Sequence, residues 1–253
     1  MAKDCNTGRG SAGSQKFIPE ILYEDNHLLI VNKPAGMLTQ ADASRQLSLL
    51  EHLKRYIKVR DQKPGNVYLG MVQRLDKPVS GVLVFAKTSK CAGRISQQVR
   101  ERKMTKYYLA TTAAGDGGGG DWREFTHQLR RVRDITIIDD SGTTGQTATL
   151  QLKTLLDNGT FGVHAVQLIT GRKHQIRAQL AGQNMPICGD KKYGSSVMIP
   201  NERILLHSYL VRLVHPTKRT RLELICPPPA ELLSPFNSLE QKEIVTALHK
   251  LQG

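Results

Sequence analysis

The stretch QRLDKPVSG, at residues 73–81, places one aspartate, Asp76, between Arg74 and Lys77. An apolar run, VLVFAK, follows at once and predicts a buried strand. The simplest interpretation is a turn with a solvated ion pair, which contributes little to stability. The alternative is a carboxylate that a nearby guanidinium keeps ionised, and that acts as a nucleophile or a base.

Two further stretches combine charge with glycine or proline, namely NKPAG at residues 32–36 and TGRKHQIR at residues 170–177. Loops of this kind at strand ends are common positions for functional residues. Arg172 and Arg177 flank the start of a predicted helix, where an arginine is usually a surface residue. A guanidinium there could also pair with Asp76 or bind a phosphate.

Tyr108 lies at the head of a predicted strand, KYYLATT. A tyrosine in a strand is usually half-buried core. Its ring could instead stack on a nucleobase, a contact worth about 1–3 kcal/mol.

Several kinds of catalytic site are not indicated. The eight histidines show no HExxH motif and no spacing typical of metal ligands, so no metal site is predicted. The sequence also contains no P-loop and no GxSxG elbow. A carboxylate-based glycosidase generally needs two carboxylates at one bond, and the three stretches contain only Asp76.

The surrounding elements predict an α+β fold, with a mixed, mostly antiparallel central sheet and helices packed on it. Strands outnumber helices, and short turns join most of them. Residues 1–16 are polar and predict a disordered tail, and residues 17–253 predict a single catalytic domain. The segment GDGGGGD, at residues 115–121, formally contains GxGxxG, but no strand-to-helix turn surrounds it and a flexible loop is the better interpretation.

Helix signals are placed from apolar spacing and capping residues. They predict helices in LSLLEHLKRYIKV, after Ser89 as N-cap, in HQIRAQLAG and at the C-terminus, where Ser238 and Gln241 would form a capping box. The helix after Ser89 has an apolar stripe that includes Ile95 and Val99. The pentapeptide YLGMV predicts a short strand before Asp76.

The charge is strongly basic, with 36 Lys and Arg against 22 Asp and Glu and a formal net charge of +14. Such a surplus favours a polyanionic partner, and nucleic acid is the commonest one in a cell. A membrane surface is the competing interpretation, but no apolar run approaches the roughly 18 residues of a spanning helix. The four cysteines are widely spaced and no export signal is present, which predicts free thiols and a cytoplasmic protein.

Taken together and in order, the stretches resemble the RluA-type pseudouridine synthases, which isomerise specific uridines in RNA. The matching segments run from about residue 18 to residue 229. They are ILYEDNHLLIVNKPAG, RLDKPVSGVLVFAKT, KYYLA, ITGRKHQIRAQLAG, PICGDKKYG, LLHSYL and a final HP.

The resemblance implies a role for each of three residues. Asp76 matches the catalytic aspartate of the family's RLD motif. Arg74 matches the arginine that helps to hold the target base out of its stack, and Tyr108 matches the tyrosine that packs on the uracil ring. Attack by Asp76 on the uracil ring and attack on ribose C1′ both remain open.

The same resemblance extends to the HQIR motif. Arg177 matches the basic residue that forms a salt bridge with the catalytic aspartate, and Arg172 and His174 belong to the same substrate-binding motif. Two positions depart from the family pattern, since Gln73 replaces a histidine and Val79 stands where threonine is common. These departures concern substrate fit more than chemistry.

The resemblance therefore implies an RNA pseudouridine synthase acting on ribosomal or transfer RNA, without cofactor or metal. A monomer is the default expectation. The sixteen-residue tail is too short for the S4-like RNA-binding domain of some relatives, so RNA contacts are expected from the catalytic domain. The alternative is a catalytically weak or inactive synthase-like protein that binds or chaperones RNA.

Overall fold

The computed structural model describes residues 19–43, 46–113, 120–139, 141 and 144–251. The whole predicted tail, residues 1–16, and most of the GDGGGGD segment lie outside these residues. Within the described ranges, eleven strands form one sheet and five α-helices accompany it. None of these helices has both the length and the apolar character needed to cross a bilayer.

The strands, in chain order, are β1 Glu20–Glu24, β2 Leu28–Lys33, β3 Gly70–Met71, β4 Ser80–Ala86, β5 Thr105–Ala113, β6 Arg123–Val132, β7 Ile135–Ile138, β8 Gln146–Asp157, β9 Phe161–Leu168, β10 Leu206–Val214 and β11 Arg221–Ile225. The helices are α1 Leu49–Arg60, α2 Ser89–Arg100, α3 Gln175–Gly182, α4 Ala230–Leu233 and α5 Ser238–His249.

The sheet has the order β1-β2-β4-β10-β5-β9-β8-β6-β7, with β11 paired to β10 and β3 paired to β4. Among the described strands, only β4 and β10 are parallel, through the pairs Ser80–His207 and Gly81–Ser208. A Cβ atom on Gly81 would lie 2.2 Å from the Ser208 carbonyl oxygen, and the residue has a φ of +111°. Glycine is therefore required at this close approach. The expected α+β fold with a mixed, mostly antiparallel sheet is confirmed.

The core lies on both faces of the sheet, because β2 and β4 are apolar along nearly their whole length. On one face, Leu83 and Phe85 pack with the buried residues of α1. On the other face, Val82 and Val84 pack with Ile95 of α2. Helices thus cover β4 on both faces, and β4 starts four residues after Asp76.

Several local expectations need correction. The N-cap of α2 is Thr88 rather than Ser89, because the Thr88 hydroxyl accepts from the backbone of Cys91. The capping box of α5 pairs Asn237 with Glu240 rather than Ser238 with Gln241. Each true cap lies one residue before the predicted one, where a second residue type that favours caps was available.

The strand content near the middle of the chain also differs from expectation. Only Gly70–Met71 of the YLGMV segment pairs as a strand. The hairpin formed by β6 and β7 was not predicted, because half of the β6 side chains are exposed and several are charged. Such a strand lacks the apolar alternation that sequence patterns detect.

Candidate active site

Asp76 lies in the loop between β3 and β4, at the floor of an open cleft. The flanking Leu75 and Val79 are buried, so the loop is anchored on both sides of the aspartate. The Thr39 hydroxyl donates to the Leu75 carbonyl at 2.7 Å and accepts from its N–H at 3.3 Å. The Asp76 side chain retains 30% exposure, so the carboxylate faces the cleft from a fixed backbone.

Lys33 connects the NKPAG loop to the Asp76 loop by hydrogen bonds. Its fully buried Nζ donates to the carbonyls of Pro34, Met37 and Lys77, at 2.9, 2.7 and 3.2 Å. Burial lowers the pKa of Lys33 to about 7, against the opposing attraction of Asp76. Lys33 therefore fixes the turn that carries Asp76 without facing the cleft.

Arg177, in the first turns of α3, contacts Asp76 from the other side of the cleft. Its Nη1 lies 3.1 Å from Asp76 Oδ2. Its Nε and Nη2 donate to the two oxygens of Asp190 at 2.6 and 2.7 Å, in a bidentate pair that is almost fully buried. Burial works against the charge of Arg177, but the hydrogen bonds to Asp190 outweigh it and raise its pKa.

His174 approaches the same carboxylate oxygen, with Nε2 lying 3.5 Å from Asp76 Oδ2. Its Nδ1 lies 2.9 Å from the Tyr193 hydroxyl, and the Tyr193 oxygen accepts a hydrogen bond from the Thr136 N–H at 2.9 Å. Burial is the main reason that the pKa of His174 falls to about 4. The ring of Tyr193 also lies against Arg177, with the guanidinium carbon 4.8 Å from its centroid.

The cleft has a volume of about 1100 Å³ and adjoins a smaller chamber of about 190 Å³. Both spaces are lined by Asp76, Arg74 and Arg172. Tyr108, which is buried, and Lys106 line only the chamber. The chamber is smaller than the pockets that hold drug-sized ligands, so it suits a single small ring better than a stretch of chain.

The six residues singled out from the sequence are thus brought to one place. Asp76 lies 3.1 Å from Arg177 and 3.5 Å from His174. The other three, Arg74, Arg172 and Tyr108, line the chamber. Arg74 is exposed and has no hydrogen bond or ion pair with the described residues. The Nε of Arg172 donates to the Thr147 carbonyl at 3.1 Å. Burial raises the pKa of the Tyr108 hydroxyl.

Sequence reasoning gave no role to Asp190, Tyr193 or Lys33. The first two lie in the GDKKYG segment, where a carboxylate among lysines is typical of an exposed turn. A feature of the sequence that could have drawn attention to this charged segment is the glycine at each of its ends.

In the described ranges, no group of three His, Cys, Asp or Glu side chains is placed to hold a metal ion.

The sequence pattern of the family described as RNA pseudouridylate synthase matches residues 27–182. The chain belongs to this family. The matched segment includes all six predicted site residues and ends before Asp190 and Tyr193. The expected isomerase class and the resemblance to the RluA-type synthases are thereby confirmed at the level of the family.

Two curated relatives illustrate the similarity. The ribosomal large subunit pseudouridine synthase C of Buchnera aphidicola subsp. Baizongia pistaciae is 32% identical over 223 residues, covering 82% of this chain and 66% of the relative. The RNA pseudouridine synthase YhcT of Bacillus subtilis, described as uncharacterized, is 33% identical over 221 residues, covering 84% of this chain and 70% of the relative. This pseudouridylate synthase family member therefore spans about two thirds of the length of these relatives.

Two solved human structures share the fold. The chain matches human RNA pseudouridylate synthase domain containing 4 with a TM-score of 0.69 and 22% identity, over 91% of this chain and 93% of that one. It matches human RNA pseudouridylate synthase domain containing 1 with a TM-score of 0.69 and 23% identity, over 94% and 98%. These similarities concern the architecture of the synthase domain.

Proposed function

We propose that this protein converts specific uridines of ribosomal or transfer RNA into pseudouridine, with Asp76 as the reactive carboxylate. The observation that supports this most is the position of Asp76 where the wide cleft meets the small chamber, with Arg177 Nη1 3.1 Å from its Oδ2. The paired guanidinium stabilises negative charge on a carboxylate that is still accessible from the cleft.

The first step of the proposed reaction is base flipping. The glycosidic bond of a stacked uridine is out of reach, and extruding the base costs a few kcal/mol. Arg74, exposed and without a partner in the described part of the chain, would occupy the vacated space in the stack. The extruded uracil would enter the chamber and pack on the ring of Tyr108.

The chemical step is an isomerisation. Asp76 attacks either the uracil ring or ribose C1′, and the bond between N1 and C1′ breaks. The base turns while it is held in the chamber, and a bond forms between C5 and C1′. The proton lost from C5 is balanced by the proton that N1 gains, so the reaction needs no oxidant and no water.

The partner in this proposal is RNA, bound by a monomer in the cytoplasm. The cleft carries cations on several of its walls, including Arg74, Lys77, Arg172, Lys173 and Lys192. Phosphate contacts of such residues supply most of the affinity for nucleic acid. One relative is named as a ribosomal large subunit synthase, so large-subunit ribosomal RNA is the first substrate to test.

The proposal is tested by pseudouridine mapping of total cellular RNA with and without the gene. Deletion should remove one or more sites, and the wild-type gene should restore them. The Asp76→Asn form should not restore them, although it should bind the target RNA with near wild-type affinity. Asp121→Asn is the matched control, because Asp121 is exposed and does not line the cleft.

Two results would count against the proposal. If no site changes on deletion, the chain does not modify cellular RNA under those conditions. If Asp76→Asn restores every site, Asp76 is not the reactive group. A protein that chaperones RNA without modifying it would keep all of its activity in the Asp76→Asn form.

A further inference from the structure

His174 occupies the N-cap position of α3 without acting as a cap. Its side chain makes no hydrogen bond to the backbone of the helix, and its backbone is left-handed, with φ 53° and ψ 21°. This conformation is uncommon for a residue other than glycine and is frequent at functional sites. The imidazole is therefore directed away from the helix end, towards Asp76 on one side and Tyr193 on the other.

The Tyr193 hydroxyl has a defined orientation, because a backbone N–H can only donate. The Thr136 N–H, in β7, donates to the Tyr193 oxygen at 2.9 Å. Among the hydrogen bonds of the described residues, the partner that can accept from the Tyr193 O–H is His174 Nδ1, also at 2.9 Å. The hydroxyl accordingly donates to Nδ1, and Nδ1 carries no proton.

The other ring nitrogen then carries the proton of the neutral imidazole. Nε2 faces Asp76 Oδ2 at 3.5 Å, where a carboxylate requires a donor. The opposite tautomer would place a lone pair against the carboxylate and leave the Tyr193 proton without an acceptor. Hydrogen bonds of catalytic groups are often long before substrate binds and shorten in the complex.

The two side-chain nitrogens that approach Asp76 lie nearest to the same carboxylate oxygen. Arg177 Nη1 and His174 Nε2 lie 3.1 and 3.5 Å from Oδ2. Oδ1 has no hydrogen-bond partner among the residues that the structure describes. The two oxygens of Asp76 therefore differ in their contacts, and Oδ1 is the oxygen that remains available to a substrate.

We infer that Tyr193, held by the backbone of the β6–β7 hairpin at Thr136, is a positioning residue that fixes the Nε2–H tautomer of His174. His174 and Arg177 together hold Oδ2 of Asp76, so that Oδ1 is the oxygen that reacts. This inference rests on the proposed function for its kinetic consequence, while the tautomer itself is a property of the free protein. Tyr193 lines neither the cleft nor the chamber, and acts only through His174.

The experiment combines nitrogen NMR of the histidine rings with kinetics of Tyr193→Phe. This variant removes the hydroxyl and keeps the ring that packs on Arg177. The His174 signals are assigned by their loss in His174→Gln. In the wild-type protein we expect the proton on Nε2 and none on Nδ1. In Tyr193→Phe we expect a mixture of tautomers, a kcat for pseudouridine formation lower by about 10- to 100-fold and an unchanged KM.

The matched control is Tyr68→Phe, which removes a hydroxyl from a half-exposed tyrosine outside the cleft and should change neither readout. A proton on Nδ1 of wild-type His174 would overturn the inference, as would a Tyr193→Phe protein with unchanged tautomer and unchanged kcat. A changed tautomer with unchanged kcat would remove the positioning role. If the wild-type protein forms no pseudouridine in any RNA, the proposed function fails, and the NMR result still decides the tautomer.

Discussion

Asp190 lies buried behind Arg177 and holds its guanidinium by two hydrogen bonds, of 2.6 and 2.7 Å. Because the guanidinium is planar and rigid, fixing Nε and Nη2 also fixes the direction of Nη1. Nη1 is the atom that contacts Asp76 at 3.1 Å. The position of the charge next to Asp76 is therefore set by a carboxylate on the far side of the guanidinium.

Asp190→Asn keeps the side-chain volume and removes the buried negative charge. Since Arg177 would remain buried with a weaker partner, we expect a loss of about 3–5 kcal/mol in the free energy of unfolding. Urea denaturation measures this change, and pseudouridine formation should also slow. Asp121→Asn serves as the control for a surface aspartate, and equal stability of the two variants would contradict the role given to Asp190.

Lys33→Met keeps an unbranched side chain of similar length but removes three donors. The carbonyls of Pro34, Met37 and Lys77 would lose the ammonium that they share. The Lys77 carbonyl would keep the Gly36 N–H at 2.8 Å, whereas the carbonyls of Pro34 and Met37 would lose this donor. Because these two carbonyls are only partly buried, we expect a loss of about 1–3 kcal/mol in unfolding free energy. Lys58→Met, at an exposed position of α1, should change stability little. A Lys33→Met protein as stable and as active as the wild type would show that this link is dispensable.

Acid should destabilise the fold through buried histidines. His164 is fully buried, its two ring nitrogens lie 2.9 and 3.0 Å from Thr112 Oγ1 and Thr154 Oγ1, and burial lowers its pKa to about 4. An unfolded histidine, with a pKa near 6.5, binds its proton first as the pH falls. The stability that His164 contributes is therefore complete above about pH 6.5 and decreases towards pH 4, by about 3 kcal/mol in total.

The check is the free energy of unfolding as a function of pH for three proteins. Wild type and His249→Gln, altered at an exposed position, should show the same slope between pH 6.5 and 4. His164→Gln should have a shallower slope, because glutamine does not titrate in this range. Parallel curves for all three proteins would show that His164 does not titrate between the folded and unfolded states.

Binding of the target RNA should weaken steeply with salt. Each phosphate contact that is lost lowers the slope of log K against log salt by roughly 0.7–0.9. We expect the double variant Lys173→Gln with Lys192→Gln to reduce this slope by about 1–2, because both lysines line the cleft. Lys242→Gln, on the exposed side of α5, is the control. Affinity that stays constant between roughly 50 and 200 mM salt would exclude the cleft cations as the main source of binding.

The sequence was most informative where local pattern and motif coincide. Asp76 stands out in a loop before a predicted strand and Arg177 at the start of a predicted helix, and the apolar run of β4 predicts its burial. The sheet class also followed from the excess of strands over helices. These features depend on short-range spacing, which a single sequence contains.

The features that were missed depend on contacts between distant segments. Asp190 is buried only because its segment pairs with β5, where the Cys188 N–H donates to the Thr111 carbonyl at 2.9 Å. Tyr193 acquires its role from Thr136, which lies 57 residues earlier in the chain. No periodicity within either segment reports such a partner, so both resembled ordinary residues of a charged surface turn.

The parallel pairing of β4 with β10 spans only two residue pairs, and it joins the part of the sheet formed by β1–β4 to the part formed by β5–β11. Asp76 enters from the first part, whereas Arg177, Asp190 and His174 all enter from the second. Neither part alone can assemble the charged cluster. We therefore expect activity to appear only after β4 has paired with β10. Recovery of activity during refolding should then mark a late step.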